Sequence, residues 1–277
     1  MMLGRMGRMA YINTLPVDWG LVHAPLGKLV EIVRGTPTTL NAMLARGDLE
    51  VSPVSLVAAA EHSDEWLVLD HLCIGCRGEV GSVILRSDRP VEELDGRTIA
   101  VTTASATAAR LLEILLARHW RVTADLVPGD NGAACRLLIG DAALKTVHSK
   151  TGGFIYDLGL AWQELTGLDF VFGLWCMRRS FAEDHPSDAW AIHHVLRMSH
   201  ELGLRETPRV VEEASKVTCL EEAIIRSYFG KLVHRLDSGL WAGLHRFLDM
   251  LGYDPDRLRV FEEGTGWTAN RGVSEGL

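Results

Sequence analysis

The chain has 277 residues, 47% of them hydrophobic, which supplies one large core or two smaller ones. Its 28 basic and 36 acidic residues leave a net charge of −8, so the overall field excludes recruitment by nucleic acid or an anionic membrane, and an anionic substrate has to be held by local donors. Five scattered cysteines argue against a disulfide framework; the opening residues lack a continuous signal-peptide core, and no later run approaches the roughly 20 apolar residues of a membrane span, so the cytoplasm is the expected location.

Short apolar runs that read as strands fall at 8–12, 29–33, 49–51, 67–74, 80–86, 98–102, 125–127 and 136–139. Helical stretches lie between several of them: 37–46 sets Leu40, Met43 and Leu44 on one face, and 107–119 is rich in Leu and Ile. This alternation predicts an α/β fold of mostly parallel sheets with helices on both faces. From 187 to 251 the period is helical, through Trp190, Val195, Leu196, Ile224, Tyr228, Leu240, Leu244 and Leu248, with no convincing strand. We read a helical C-terminal section that packs back onto one lobe. No flexible linker is present, so two lobes would be joined by ordered crossing strands, best placed at 81–87 and 170–177.

Three strand ends run into marked helix starts. Thr36-Pro37-Thr38-Thr39 offers an N-cap threonine and a proline at the first helical position, Ser52-Pro53-Val54-Ser55 repeats that grammar, and Thr102 to Thr107 precedes the Leu-rich helix. Each alone is explained by capping. Together, in an α/β sheet that lines up strand ends and helix N-termini along one crevice, they suit a substrate with two carboxylates. No lysine or arginine lies inside these segments.

Other features carry less. Cys73-Ile74-Gly75-Cys76 is a lone CxxC within an apolar strand pattern and reads as buried, inert thiols. His193, His194 and His200 lie in a predicted helix, with 193 and 200 on one face; no metal signature surrounds them, and they read as surface or interhelix packing. His148 follows an apolar run and is a weaker cleft candidate. No nucleophile elbow, Walker loop or dinucleotide-binding glycine motif occurs.

Tyr11-Ile12-Asn13-Thr14-Leu15-Pro16, directly after the first strand, resembles the opening motif of the chorismate dehydratase family, which serves the futalosine route to menaquinone. Similar pieces follow in order: Pro37 to Asn41, Asp48 to Ser55, Gly78 to Val83, Ser105-Ala106-Thr107, Leu138 to Leu144, and Tyr156 to Gly159 with Trp162 and Thr166-Gly167. The resemblance covers roughly residues 11–175 and implies the two-lobed periplasmic-binding-protein type II fold, with lobe 1 formed by 1–86 plus 178–277, lobe 2 by 87–177, and the ligand between them.

The activity the resemblance implies is removal of water from chorismate, giving 3-[(1-carboxyvinyl)oxy]benzoate. The matching residues are Asn13, Thr38, Ser55, Ser82, Ser105, Ala106, Thr107 and Asp141. Asn13 is expected beside the reacting ring, Ser82 and the Ser105–Thr107 turn on carboxylate oxygens, and the Thr38 helix start at the other end, with Ser55 nearby. Asp141, the one acid of the set, reads equally well as the cap of a neighbouring loop. No His, Lys or Glu stands out as a base, so the substrate's own enolpyruvyl carboxylate is the expected proton acceptor. No metal and no organic cofactor is expected, because water loss changes no net redox state. The partner is a small dicarboxylate, not nucleic acid or membrane, and oligomeric state is not legible. The rival readings are a non-catalytic solute-binding protein, the sister enzyme that forms a dihydroxynaphthoate in the same pathway, and an effector-sensing domain.

Overall fold

Two β-sheets organise the computed structural model, which describes residues 2–129, 133–149, 152–262 and 266–269. The chain first lays down β1 (Arg5–Met9), α1 (Leu15–His23), β2 (Glu31–Gly35), α2 (Pro37–Arg46), β3 (Val51–Ser55), α3 (Leu56–Glu61) and β4 (Trp66–Cys76). It then builds a five-stranded sheet from β5 (Val83–Ser87), β6 (Arg97–Val101), β7 (Ala124–Pro128), β8 (Arg136–Ile139) and β9 (Phe154–Asp157), with α4 (Ala106–Leu115), α5 (Gly140–Val147) and α6 (Leu158–Thr166). It returns as β10 (Phe170–Arg178) and continues through α7 (Arg179–Asp184), α8 (Pro186–Arg205), α9 (Thr207–Thr218), α10 (Glu222–Lys231), β11 (Leu232–Val233), α11 (Ser238–Leu251), β12 (Arg259–Glu262) and β13 (Gly266–Ala269). The larger sheet runs β13-β12-β4-β10-β3-β1-β2, with β11 on β4; the smaller runs β7-β6-β8-β5-β9.

The expected two-lobed α/β architecture is present, but both sheets are mixed rather than mostly parallel. β1–β2, β1–β3, β4–β12, β6–β7 and β6–β8 pair in parallel, whereas β3–β10, β4–β10, β5–β8 and β5–β9 are antiparallel. The cause is topological. β4 carries the chain out of the larger sheet and its neighbour β10 brings it back, so the two must run in opposite directions. The changeovers are the connections 77–82 and 158–169, the second containing α6. Residues 83–87 are therefore a strand of the smaller sheet rather than a crossing, and the limits expected at 86 and 177 fall inside β5 and β10.

Local grammar explains several boundaries. Thr36 caps α2 by accepting from Thr39 N at 3.3 Å, Pro37 occupies the first helical position, and Gly47 ends the helix in the left-handed region at φ 82°. The same reading of Ser52-Pro53 is corrected by the structure: the strand continues to Ser55, and Ser55 caps α3. Pro53 is tolerated there because pairing of β3 with β1 is confined to Met6↔Val51, so the missing N–H leaves no gap in that ladder. The helical C-terminal section is interrupted by the two-residue β11, and β12 and β13 extend the sheet beyond it; runs this short carry no period a sequence can display.

The C-terminal helices pack on the lobe of the larger sheet. α8 lies so close to α1 that a Cβ at Gly203 would stand 1.9 Å from the Pro16 carbonyl oxygen. Ser199 seals the contact, donating to Val17 O at 2.6 Å and accepting from Leu21 N at 3.1 Å. Behind β10, Trp162, Phe170 and Phe247 meet edge to face with centroids 5.0 to 5.9 Å apart. Each such buried ring contributes about 1.5–3 kcal/mol through lost apolar surface alone. Among the described residues, no helix is long and apolar enough to cross a membrane.

Candidate functional site

A cavity of about 550 Å³, its open mouth included, lies where the two sheets face each other. The larger-sheet lobe contributes Asn13, Pro37, Val54 and Ser55; the smaller contributes Val80, Ser82, Ser105, Ile139 and Gly140. Tyr11, Ile74 and Phe172 supply flat apolar surface. Among the described residues, the tyrosine is the sole titratable side chain in the lining.

Asn13 sits in a tight turn (Ile12–Thr14) between β1 and α1. Its side-chain Oδ1 is buried and has no hydrogen-bond partner, an arrangement costing about 1–3 kcal/mol unless a ligand donor meets it. The turn is fixed from behind. His234 Nε2 lies 2.7 Å from the Asn13 carbonyl oxygen, which can only accept, so that nitrogen carries the proton. Burial lowers the His234 pKa, which keeps the ring neutral. Ile12 N donates to Asp141 Oδ1 across the cleft at 3.2 Å.

Three serine hydroxyls enter the cavity with their acceptor side already used. Ser55 Oγ accepts from Ala58 N at 3.2 Å, and Ser105 Oγ accepts from Ala108 N at 3.2 Å, each capping its own helix. Ser82 Oγ accepts from Tyr228 OH at 3.0 Å. Tyr228 is fully enclosed; burial raises its pKa and keeps the phenol protonated, which makes it a lasting donor. Each serine hydrogen is left to point elsewhere, and a carboxylate oxygen in the cavity is a fitting acceptor. The segment that carries Ser82 is anchored by Asp157, which accepts from Val80 N at 3.1 Å and Gly81 N at 2.6 Å while capping α6 through Leu160 N at 3.0 Å.

The structure thus brings Asn13, Ser55, Ser82 and Ser105 together, while Thr38, Ala106, Thr107 and Asp141 stand outside the lining. Thr38 Oγ1 donates to Thr103 O at 2.8 Å, joining the tip of α2 to the loop before α4. Thr107, fully buried, accepts from Val57 N at 3.1 Å and joins α4 to α3. Asp141 holds the Asn13 turn by accepting from Ile12 N. Burial raises its pKa, with the Ile12 amide and Lys145 opposing. Ala106 is exposed at the first position of α4. These contacts link the two lobes in the described conformation.

Tyr11 and Gly140, both inside quoted motifs, are the lining residues whose importance the sequence left unstated. Gly140 opens α5 at φ 59°, and a Cβ there would lie 2.8 Å from Tyr11 Cδ1, so glycine alone lets the ring pack flat against the helix start. Burial, then the Asp141 charge, raises the Tyr11 pKa and keeps that phenol neutral. Phe172, a β10 residue, has a sequence context no different from a core position. His148 is exposed at the end of α5, away from the lining. Burial raises the pKa of both Cys73 and Cys76, so those thiols stay protonated, as expected of inert core residues.

A second cavity, of about 940 Å³ with its mouth, lies among α8, α9, α10 and β11; His200, Leu204, Val211 and Phe229 line it, and His234 forms part of its wall.

A family model described as "Menaquinone biosynthesis" matches residues 4–253. A chorismate dehydratase from Thermus thermophilus is 28% identical over 244 residues, covering 80% of this chain and 86% of that one. A 1,4-dihydroxy-6-naphtoate synthase from Streptomyces coelicolor is 27% identical over 219 residues, covering 72% of this chain and 73% of its own. Among solved structures, the alkanesulfonate-binding protein SsuA from Xanthomonas axonopodis pv. citri superposes with a TM-score of 0.62 at 15% identity, covering 90% and 91% of the two chains, a likeness of fold.

Proposed function

The chain belongs to the menaquinone-biosynthesis family, and we propose that within it this protein removes water from chorismate, giving 3-[(1-carboxyvinyl)oxy]benzoate. One observation carries the reading. The cavity offers an unpaired buried amide oxygen at Asn13 beside three neutral hydroxyls that accept in the hydrogen bonds they make, and its lining holds no histidine, lysine or carboxylate among the described residues. That set suits a dianion that needs gripping and orienting more than it needs an external base.

Chorismate carries a ring carboxylate, an enolpyruvyl ether with a second carboxylate, and a ring hydroxyl. The O–H groups of Ser55, Ser82 and Ser105, with the N-terminal end of α4, take the carboxylate oxygens. Asn13 lies against the ring and orients the departing hydroxyl. The flat faces of Tyr11 and Phe172 hold the ring in place, and closure of the lobes excludes water. The C–O bond to the hydroxyl breaks and a neighbouring ring hydrogen leaves as a proton; together they form water, and the ring becomes aromatic. Tyr11, held protonated, does not act as base, so the substrate's enolpyruvyl carboxylate takes the proton and relays it to the departing hydroxide. Thr38, Thr107 and Asp141 act indirectly, by holding the lobes and the Asn13 turn in register. The same reading places the reaction in the cytoplasm.

The naphtoate synthase relative, nearly as similar in sequence, motivates a second reading, a sister activity on a cyclised futalosine derivative. Incubating the purified protein with each substrate separates the two. Mass spectrometry is expected to show chorismate losing one water and the futalosine derivative unchanged. Unchanged chorismate overturns the dehydratase reading.

A further inference from the structure

We propose that Asp70, His71 and His193 form a binding site for a divalent transition-metal cation of the zinc or cobalt class, separate from the substrate cavity. One oxygen, Asp70 Oδ1, faces two imidazole nitrogens at once: His71 Nδ1 at 2.5 Å and His193 Nε2 at 2.9 Å. The three donor atoms lie within 4.8 Å of one another. Zinc bonds of about 2.0–2.1 Å imply donor–donor edges of roughly 3.3 Å, so the two Asp70 edges would open by about 0.4–0.8 Å to admit a cation. Two imidazoles and one carboxylate suit zinc, cobalt or iron(II) rather than magnesium or calcium, which prefer all-oxygen cages.

The backbone is shaped to make this cluster. Adjacent residues on a regular strand point to opposite faces. Here β4 pairs with β10 at Trp66–Val68 and again from Cys73 onward, while Trp175 alone separates the opposing partners. On the other edge β12 stops at Leu69 and β11 begins at Gly75. Asp70 and His71 therefore occupy a wide bulge free of both ladders, where a strand can re-aim its side chains. His193 comes from α8, and its ring is clasped by Trp190 at 5.5 Å and Phe261 at 5.6 Å between centroids. That clasp pre-orders the ligand. His193 is 4% exposed at its side chain and Asp70 33%, so the cluster opens to solvent on the carboxylate side, where an ion can enter and a water can complete the shell. None of the three residues lines the substrate cavity. The expectation of no metal concerned the reaction, and no sequence signature marks this cluster, because 123 residues separate Asp70 from His193.

The test uses the full chain, freed of metal by chelator dialysis and titrated calorimetrically with zinc chloride and, separately, cobalt chloride. One equivalent is expected to bind at micromolar Kd or tighter. His193→Gln keeps an amide donor for Asp70 but lacks the imidazole, and is expected to bind at least 100-fold more weakly with an unchanged circular-dichroism spectrum. Equal affinity in that variant, or no stoichiometric binding by the wild type, overturns the proposal and leaves the trio as a hydrogen-bonded tie between α8 and β4. If the variant does not fold, cobalt-loaded wild-type protein decides. Two exchangeable, hyperfine-shifted imidazole proton resonances support the site, and their absence overturns it.

Discussion

Replacing Asn13 by alanine separates binding chemistry from structural support. The Asn13 side chain contributes a buried Oδ1 without a partner, a group whose desolvation costs about 1–3 kcal/mol in the ligand-free protein. Alanine removes that penalty and gives up a few van der Waals contacts of opposite sign and similar size. Net stability is therefore expected to stay level or rise, and for a chain of this length about 1 kcal/mol moves Tm by roughly 2–4 °C. Turnover behaves differently. A pre-organised polar group aimed at charge that develops during reaction is worth on the order of 10²–10³ in kcat. Steady-state formation of the benzoate product is expected to fall by about 10² or more in kcat, with KM altered only a few-fold because the serine hydroxyls remain. Scanning calorimetry on the same preparation is expected to give a Tm equal to or above wild type. A kcat within about three-fold of wild type refutes the role, and a Tm that drops by more than about 5 °C shows that Asn13 is a structural residue.

Other substitutions test the frame around the cavity. Thr107→Val keeps shape but leaves Val57 N without its buried acceptor, so thermal unfolding should show a loss of about 1–3 kcal/mol; an unchanged Tm contradicts the inter-helix bond. Gly140→Ala places a Cβ 2.8 Å from the Tyr11 ring at a left-handed φ of 59°, which costs about 1–2 kcal/mol and pushes the ring into the cavity. Its kcat/KM is expected to fall at least ten-fold, and wild-type kinetics would show that the contact is irrelevant. Asp18, enclosed between α1 and β1, has its pKa raised from 3.8 to about 6 by burial, with Arg8 and Thr14 opposing. The folded state thus holds a proton that the unfolded state releases, and this carboxyl removes stability as pH climbs from about 4 to about 6. In paired Tm measurements Asp18→Asn should gain on wild type across that window; a constant difference rejects the shift.

How far the sequence spoke depended on the range of each signal. α2 was legible to the residue because Thr36, Pro37 and Gly47 act within one turn of its ends. Ser52-Pro53 has the same local grammar, yet the pairing of β3 with β10 carries the strand to Ser55, a long-range effect no local signal reports. Of the residues the motifs named, Asn13, Ser55, Ser82 and Ser105 line one cavity. Thr107 lies two residues beyond Ser105, and helix phase turns its hydroxyl toward α3 instead. Thr38 likewise faces Thr103. Such directions are fixed by tertiary packing and not by residue type. His234 was invisible for the same reason: 221 residues separate it from the carbonyl it holds.

A crystal structure with 3-[(1-carboxyvinyl)oxy]benzoate bound is the most direct examination of how the cavity works. The ring is expected against Asn13 and Tyr11, with carboxylate oxygens within hydrogen-bond distance of the Ser55, Ser82 and Ser105 hydroxyls. Product seated away from Asn13, in the α8–α10 cavity or on the surface, would contradict the account.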